Sequence, residues 1–161
     1  MGGDEASKKM ASEDLARMRT YKTIIGNVAR KHNVDPALIA AIISRESRGG
    51  AAISGNNGWC SKRKSFGLMQ VAAESHTPSG AWDSKEHLDQ ATGILVGIIE
   101  EVQGNFSSWS PEQHLKGALA YYNMGSMVLS SGPQGVDHHT KGGNYSADVL
   151  TRAEFYRQNE F

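Results

Sequence analysis

Apolar positions recur at helical spacing along most of this chain. From about Ser12 to His32, Leu15, Met18, Tyr21, Ile25 and Val28 keep to one face, which predicts a helix with Ser12 as its N-cap. "VDPALIAA" signals a second start, with Asp35 as N-cap and Pro36 at the first helical position. Its stripe is Leu38, Ile39, Ile42 and Ile43, and Gly49 and Gly50 end it. Leu88, Ala91, Leu95, Ile98 and Val102 place a buried helix from Ser84 to about Gln103. "SPEQHLKGALAYY" opens with Ser110, Pro111 and a capping box completed by Gln113. A last helix starts near Tyr145, with Val149, Ala153 and Tyr156 on one face. The connecting segments are a Gly-, Asn-, Ser- and Lys-rich stretch at 49–66, with a short hairpin expected around "GNNGW", and a glycine-rich, His-bearing loop at 132–144. "FGLMQV" between them reads as one short helix. The expected fold is predominantly α, a single helical domain over residues 12–161 with little or no β-sheet, preceded by a flexible polar segment at 1–11.

One residue breaks the pattern. Glu46 falls four positions after Ile42 and seven after Ile39, at the end of the buried face, although Ser44, Arg45 and Arg48 occupy positions expected to face solvent. Two readings stand. Glu46 is a last-turn side chain that bends out to water, or it is a half-buried carboxyl whose pKa rises on desolvation and which can act as a general acid near neutral pH.

Composition narrows the setting. At 161 residues and 39% hydrophobic content the chain can bury one good core. Lys plus Arg total 17 and Asp plus Glu total 17, so no global field points to nucleic acid or a membrane surface. A single cysteine, Cys60, rules out an intrachain disulfide. No apolar run approaches the roughly 18 residues a spanning helix needs. "MGGDEASKKMASED" has no apolar h-region, so no secretory signal is expected in it, and Ala6 breaks the myristoylation pattern. The adjacent His138 and His139 lack zinc-ligand spacing, and no metal is expected.

Three segments carry a resemblance. "ISRES" at 43–47, "FGLMQV" at 66–71 and "AYYNMG" at 120–125 occur in that order and resemble motifs of the goose-type lysozymes and the related soluble lytic transglycosylases. The likeness extends through "YKTII", "NGW", "GAW", "SWS", "QHLKG" and "YSADVLTRAEFY". It implies a lysozyme-like helical fold and cleavage of the β-1,4 bond between N-acetylmuramic acid and N-acetylglucosamine, with Glu46 as general acid. It also implies substrate contacts from Phe66, Gln70, His76, Tyr122, Asn123 and Tyr145, with a Tyr122 hydroxyl able to orient Glu46 and Gly67 letting backbone approach a sugar. Taken alone, Gly67 and Gln70 read as turn and short core helix, His76 as a loop residue and the tyrosines as core. The family's partners would be peptidoglycan, chitooligosaccharides and a bacterial proteinaceous lysozyme inhibitor, with no cofactor, no nucleic acid and no membrane. The expected form is a monomer in extracellular host defence, with an intracellular place or non-classical export left open.

The chain also departs from the family. An inverting glycosidase needs a second carboxylate roughly 6.5–9.5 Å from the acid. Goose-type enzymes usually supply it from two aspartates, and the corresponding positions hold Ser61 and Ala72. The run "CSKRKS" replaces a stretch normally rich in Gly and Asp. Three consequences compete: Glu74 supplies the missing carboxylate, a single carboxyl works with the substrate's C6 hydroxyl to give an anhydro product, or the protein binds peptidoglycan or inhibitors without cutting. Retention of Glu46 on a buried face argues for catalysis, because an idle site has no reason to bear the desolvation cost.

Overall fold

The computed structural model describes residues 3–161. Helix α1 runs Gly3–Thr20 and α2 runs Lys22–His32, separated by a turn at Tyr21. The helix expected from Ser12 to His32 is therefore two helices, and Ser12 is not a cap: its hydroxyl donates back to the Lys9 carbonyl from inside α1. Residues 3–11 are helical rather than an unstructured lead-in, and Ala11 is fully buried. Met1 and Gly2, the rest of the segment expected to be flexible, lie outside the described residues. Hydropathy conceals this helix because its buried face, Ser7, Ala11, Asp14 and Met18, is half polar.

Helix α3, Pro36–Ser47, starts as its sequence requires. The Asp35 carboxylate accepts from the Ala37 N–H at 2.9 Å, and Pro36 takes the first turn, where a missing N–H leaves nothing unpaired. Burial does not stop at the apolar stripe, for every residue from Ala37 to Ser44 is buried. Ser44, expected on the solvent side, donates to Asp14 Oδ2 at 2.6 Å, and Arg45 is turned onto the last helix of the chain. Truncating Ile39, Ile42 or Ile43 to Ala is worth about 2–5 kcal/mol of stability in such a core. The helix ends at Arg48, a left-handed C-cap at φ 56°. A bulky residue is uncomfortable there, and its Nε bond to Asp14 Oδ1 at 2.8 Å offsets the strain.

The only sheet among the described residues is a hairpin of β1, Ser65–Phe66, and β2, Val71–Ala72, antiparallel with Ser65 opposite Ala72. It lies beyond the expected position at "GNNGW", where a short 3-10 turn, Ser54–Asn56, forms instead. "FGLMQV" is thus strand, turn and strand, not a short helix. Leu68 and Met69 at the turn's tip are fully buried, which is why an apolar run mimics a helix here.

Helix α4, Lys85–Asn105, is capped by the Ser84 hydroxyl accepting from the His87 N–H. Helix α5, Pro111–Met124, opens with the full Ser110–Gln113 capping box. Helix α6, Tyr145–Gln158, closes the fold and packs chiefly on α3 and α1. One large core joins α1, α2, α3, α4, α6 and the hairpin. A smaller one, with Val102, Ala118, Val128, Leu129 and Val136, lies between α4, α5 and the segment that follows α5. No described helix is long and apolar enough to cross a membrane.

Candidate active site

Glu46 sits in the last turn of α3 with its side chain only partly exposed. Burial pushes its pKa up to about 7 from an ordinary 4.5. Three groups pull the other way: the Tyr145 hydroxyl, which donates to Oε2 at 2.8 Å, then the charges of Arg45 and Lys141. A carboxyl so balanced is still protonated in a sizeable fraction of molecules at neutral pH and can release that proton to a leaving oxygen. The reading of Glu46 as a side chain bent out to water does not fit this environment. Next to it, Ser47 donates to the Leu68 carbonyl at 2.9 Å and accepts from the Gly50 N–H, fixing the end of α3 to the hairpin.

The adjoining groove has a volume of about 300 Å³. Gln70, Val71 and Ala72 form one wall, with Ser75 and His76 beyond it. Ile94 and Ile98 of α4 supply an apolar floor, and Tyr121 to Gly125 at the end of α5 the other wall. Glu46 is not itself a lining residue; Tyr122 lines the groove and lies close enough to Glu46 for its carboxylate to raise the tyrosine pKa further, after burial.

Of the residues expected in the site, Gln70, His76, Tyr122 and Asn123 come together in the groove. The others divide. Tyr122 does not orient Glu46, because its hydroxyl donates to the Met69 carbonyl at 2.7 Å and so holds the hairpin turn. Tyr145 takes that task and is fully buried, which leaves it no face for a sugar. Phe66 stands outside the groove lining, tilted against Trp59 with ring centres 4.9 Å apart and edge-on to His87. Gln70 spends one amide donor on the Gly67 carbonyl at 2.9 Å. Asn123 accepts from the Lys141 N–H at 3.1 Å. Glu74 is exposed and absent from the lining, whereas Ala72, an exposed residue two positions earlier, belongs to it.

His87 was not singled out by sequence, and it governs the hairpin from below. Its Nε2 accepts from the Met69 N–H at 2.9 Å, and burial lowers its pKa to about 4, so the ring is neutral. The same ring explains Gly67: at φ +88° a Cβ would stand 2.1 Å from His87 Cε1, so the glycine serves the packing of an imidazole rather than the approach of a sugar. Only the one-residue choice of glycine hinted at this neighbour, and nothing in it names a histidine twenty positions on.

The loop carrying Lys62, Arg63 and Lys64 is tied to the groove wall by the Ala73 N–H bond to the Lys64 carbonyl at 2.9 Å. Arg63 lies over the Trp59 ring, 5.4 Å from its centre. The Cys60 thiol beside it is half-buried, which raises its pKa, but backbone N–H groups of the same loop outweigh this and bring it below its ordinary value.

Comparison with known proteins assigns the family. The family model described as Lysozyme g matches residues 1–160. A protein named Lysozyme g from Cyprinus carpio is 48% identical over 159 residues, covering 99% of this chain and 84% of the relative. A Lysozyme g from Takifugu rubripes is 49% identical over 164 residues, covering 98% and 85%. Lysozyme g-like protein 2 from Homo sapiens is 43% identical over 159 residues, covering 99% and 71%. A helical fold with a half-buried glutamate beside a groove, matched end to end at this level, leaves one conclusion: the chain belongs to the lysozyme g family.

Proposed function

We propose that Glu46 is the general acid with which this protein cleaves the β-1,4 bond between N-acetylmuramic acid and N-acetylglucosamine. As a member of the lysozyme g family the chain is a peptidoglycan-cleaving glycoside hydrolase, an antibacterial activity directed at the cell wall. The observation that carries the assignment is a carboxyl poised near pH 7 by burial against the Tyr145 hydroxyl. Gln70, His76, Tyr122 and Asn123 hold the glycan, with amide and imidazole groups facing its acetamido and hydroxyl groups and Ile94 and Ile98 beneath its methyls. Uncharged chitooligosaccharides suit the same groove. The enzyme acts outside the cell as a monomer, and a bacterial inhibitor protein would reach Glu46 through the groove.

Protonation of the leaving oxygen is half of the reaction. No acidic side chain lines the groove among the described residues, since Ala72 stands on the wall where a carboxylate would face the sugar. Attack on the anomeric carbon then falls to a water assisted by Glu46, a carboxylate once its proton has gone, or by Glu74 if the exposed segment after β2 folds inward. The substrate's C6 hydroxyl is the remaining nucleophile and would close a 1,6-anhydro ring. Digesting purified peptidoglycan and analysing the new ends tests both halves. Reducing muramic acid ends from the wild type, and no cleavage by a folded Glu46→Gln, are expected. Cleavage by the variant at the wild-type rate would end the assignment, and anhydro ends would transfer the second step to the substrate.

A further inference from the structure

Arg45 precedes the acid, and beyond the pull of its charge on Glu46 it has been given no task so far. Its partners all lie in one short segment. Nη1 donates to Asp148 Oδ2 and, at 3.4 Å, to Asn144 Oδ1; Nη2 donates to the Lys141 carbonyl at 2.6 Å. The guanidinium carbon lies 5.1 Å from the centre of the Tyr145 ring. Gly142 presses close enough that a Cβ there would stand 3.3 Å from Nη2.

That segment carries two groups the site depends on. The Tyr145 hydroxyl reaches Glu46, and the Lys141 N–H holds the Asn123 side chain in the groove. Its own ties run within the loop and the start of α6: the Asp137 carboxylate accepts from the Ser146 N–H and hydroxyl and from the Ala147 N–H, and the Thr140 hydroxyl accepts from the Tyr145 N–H. With positive φ at Gly142 and Gly143 between these anchors, the side-chain contacts from α3 to this segment come from Arg45 and from Glu46. Arg45 is in turn held from behind. Asp148 Oδ1 accepts from Arg152 Nε at 2.9 Å, Arg152 Nη1 donates to the Ser44 hydroxyl at 2.9 Å, and Ser44 donates to Asp14.

We propose that Arg45 is a positioning residue for catalysis: its planar guanidinium clamps the 141–148 segment so that Tyr145 meets Glu46 and Asn123 faces the glycan. The inference rests on Glu46 being the acid. Only an arginine fits the role, because it donates in two directions within one plane while stacking on an aromatic face, whereas a lysine offers a point charge on a flexible stem. The groups acting on Glu46 are Tyr145 on α6, Arg45 on α3 and Lys141 in the loop, and Tyr122 on α5 is near enough to feel its charge.

Two variants assayed on an uncharged chitooligosaccharide test the clamp. Arg45→Lys keeps a cation opposite Asp148 but loses the plane and the second donor. Its kcat is expected to fall between about ten- and a hundredfold with KM within about twofold, and the alkaline limb of the pH profile to move to higher pH, because the Tyr145 hydroxyl no longer meets Glu46 squarely. Arg45→Met should show the same fall in kcat and a limb moved further to higher pH, because a charge favouring the Glu46 carboxylate is gone as well. A purely structural arginine would lower the melting temperature of both variants without changing kcat of the folded enzyme. Wild-type kcat in Arg45→Lys, or an unmoved limb in a folded Arg45→Met, overturns the proposal. If Arg45→Met does not fold, kcat of Arg45→Lys decides alone. Failure of the acid assignment is read separately, from activity in Glu46→Gln.

Discussion

Glu46→Gln is expected to leave the protein inactive and, above neutral pH, more stable. The folded carboxyl titrates at about 7 against 4.5 for the free group, with burial the principal cause. A raised folded pKa means that the native state holds the proton more tightly than the unfolded chain does. The associated stability is fully present below about pH 4.5, falls as pH rises, and is gone above about pH 7. At 1.36 kcal/mol per unit, a shift of about 2.5 units amounts to ~3 kcal/mol at most. Glutamine keeps the shape, carries no charge, and its amide oxygen still accepts from the Tyr145 hydroxyl. Wild type and variant should therefore match at pH 4, and the variant should lead by up to ~3 kcal/mol at pH 8.5, roughly 6–12 °C in a chain of this length. His87, lowered to about 4 by burial, gives a slope of opposite sign, with stability lost as pH falls from its ordinary 6.5, but it is common to both proteins and cancels in the difference. Guanidinium denaturation of both proteins at the two pH values measures the effect. Equal differences at pH 4 and 8.5, or a wild type that gains on the variant as pH rises, would refute the reasoning that Glu46 is held protonated by desolvation.

Tyr145→Phe removes the hydrogen bond that most favours the Glu46 carboxylate. A bond to a charged acceptor is worth about 1.5–3 kcal/mol, so the alkaline limb of kcat/KM should move up by roughly 1–2 pH units, and a limb that stays put would deny Tyr145 its role. Ala72→Asp puts a carboxylate on an exposed point of the groove wall. General-base assistance of about 10²–10⁴-fold is available there, so chitooligosaccharide hydrolysis should quicken and release the inverted anomer; no gain in a folded variant would show that the second step already has its agent.

Signals that act within a few residues were legible in the sequence. Asp35 and the Ser110–Gln113 pair cap their helices because a short side chain meets an N–H two or three positions on, and the spacing declares it. Helix α1 was not legible over its first turns, since Asp14 is buried on the strength of Ser44, Arg17 and Arg48, and two of these come from another helix. The hairpin was hidden for a related reason: "FGLMQV" turns where it does because His87 lies under Gly67, a fact of tertiary packing. Glu46 itself was placed by the end of an apolar stripe, but which tyrosine would reach it was not. Tyr122 and Tyr145 have the same chemistry, and only the course of the segment from 141 to 145 brings one hydroxyl to the carboxyl and sends the other to a backbone carbonyl.

Glu46, the proposed acid, stands on a helix with little freedom to move. Helix α3 is buried on every side from Ala37 to Ser44, its C-cap is moored to Asp14, and Ser47 anchors its last turn to the hairpin. Opening that helix exposes the main core, so its fluctuations cost nearly what global unfolding costs. A glycan chain therefore meets one jaw that cannot yield. Accommodation falls to the opposite jaw, where α5 gives way to Gly125 and a 3-10 turn, Ser126–Ser131, and where Met124 and Met127 lie 48% and 54% exposed. Unbranched thioether side chains mould to irregular surfaces. Under the proposed assignment the molecule would work as a fixed anvil with a compliant rim, aligning the scissile bond by rigidity and admitting varied wall fragments by softness.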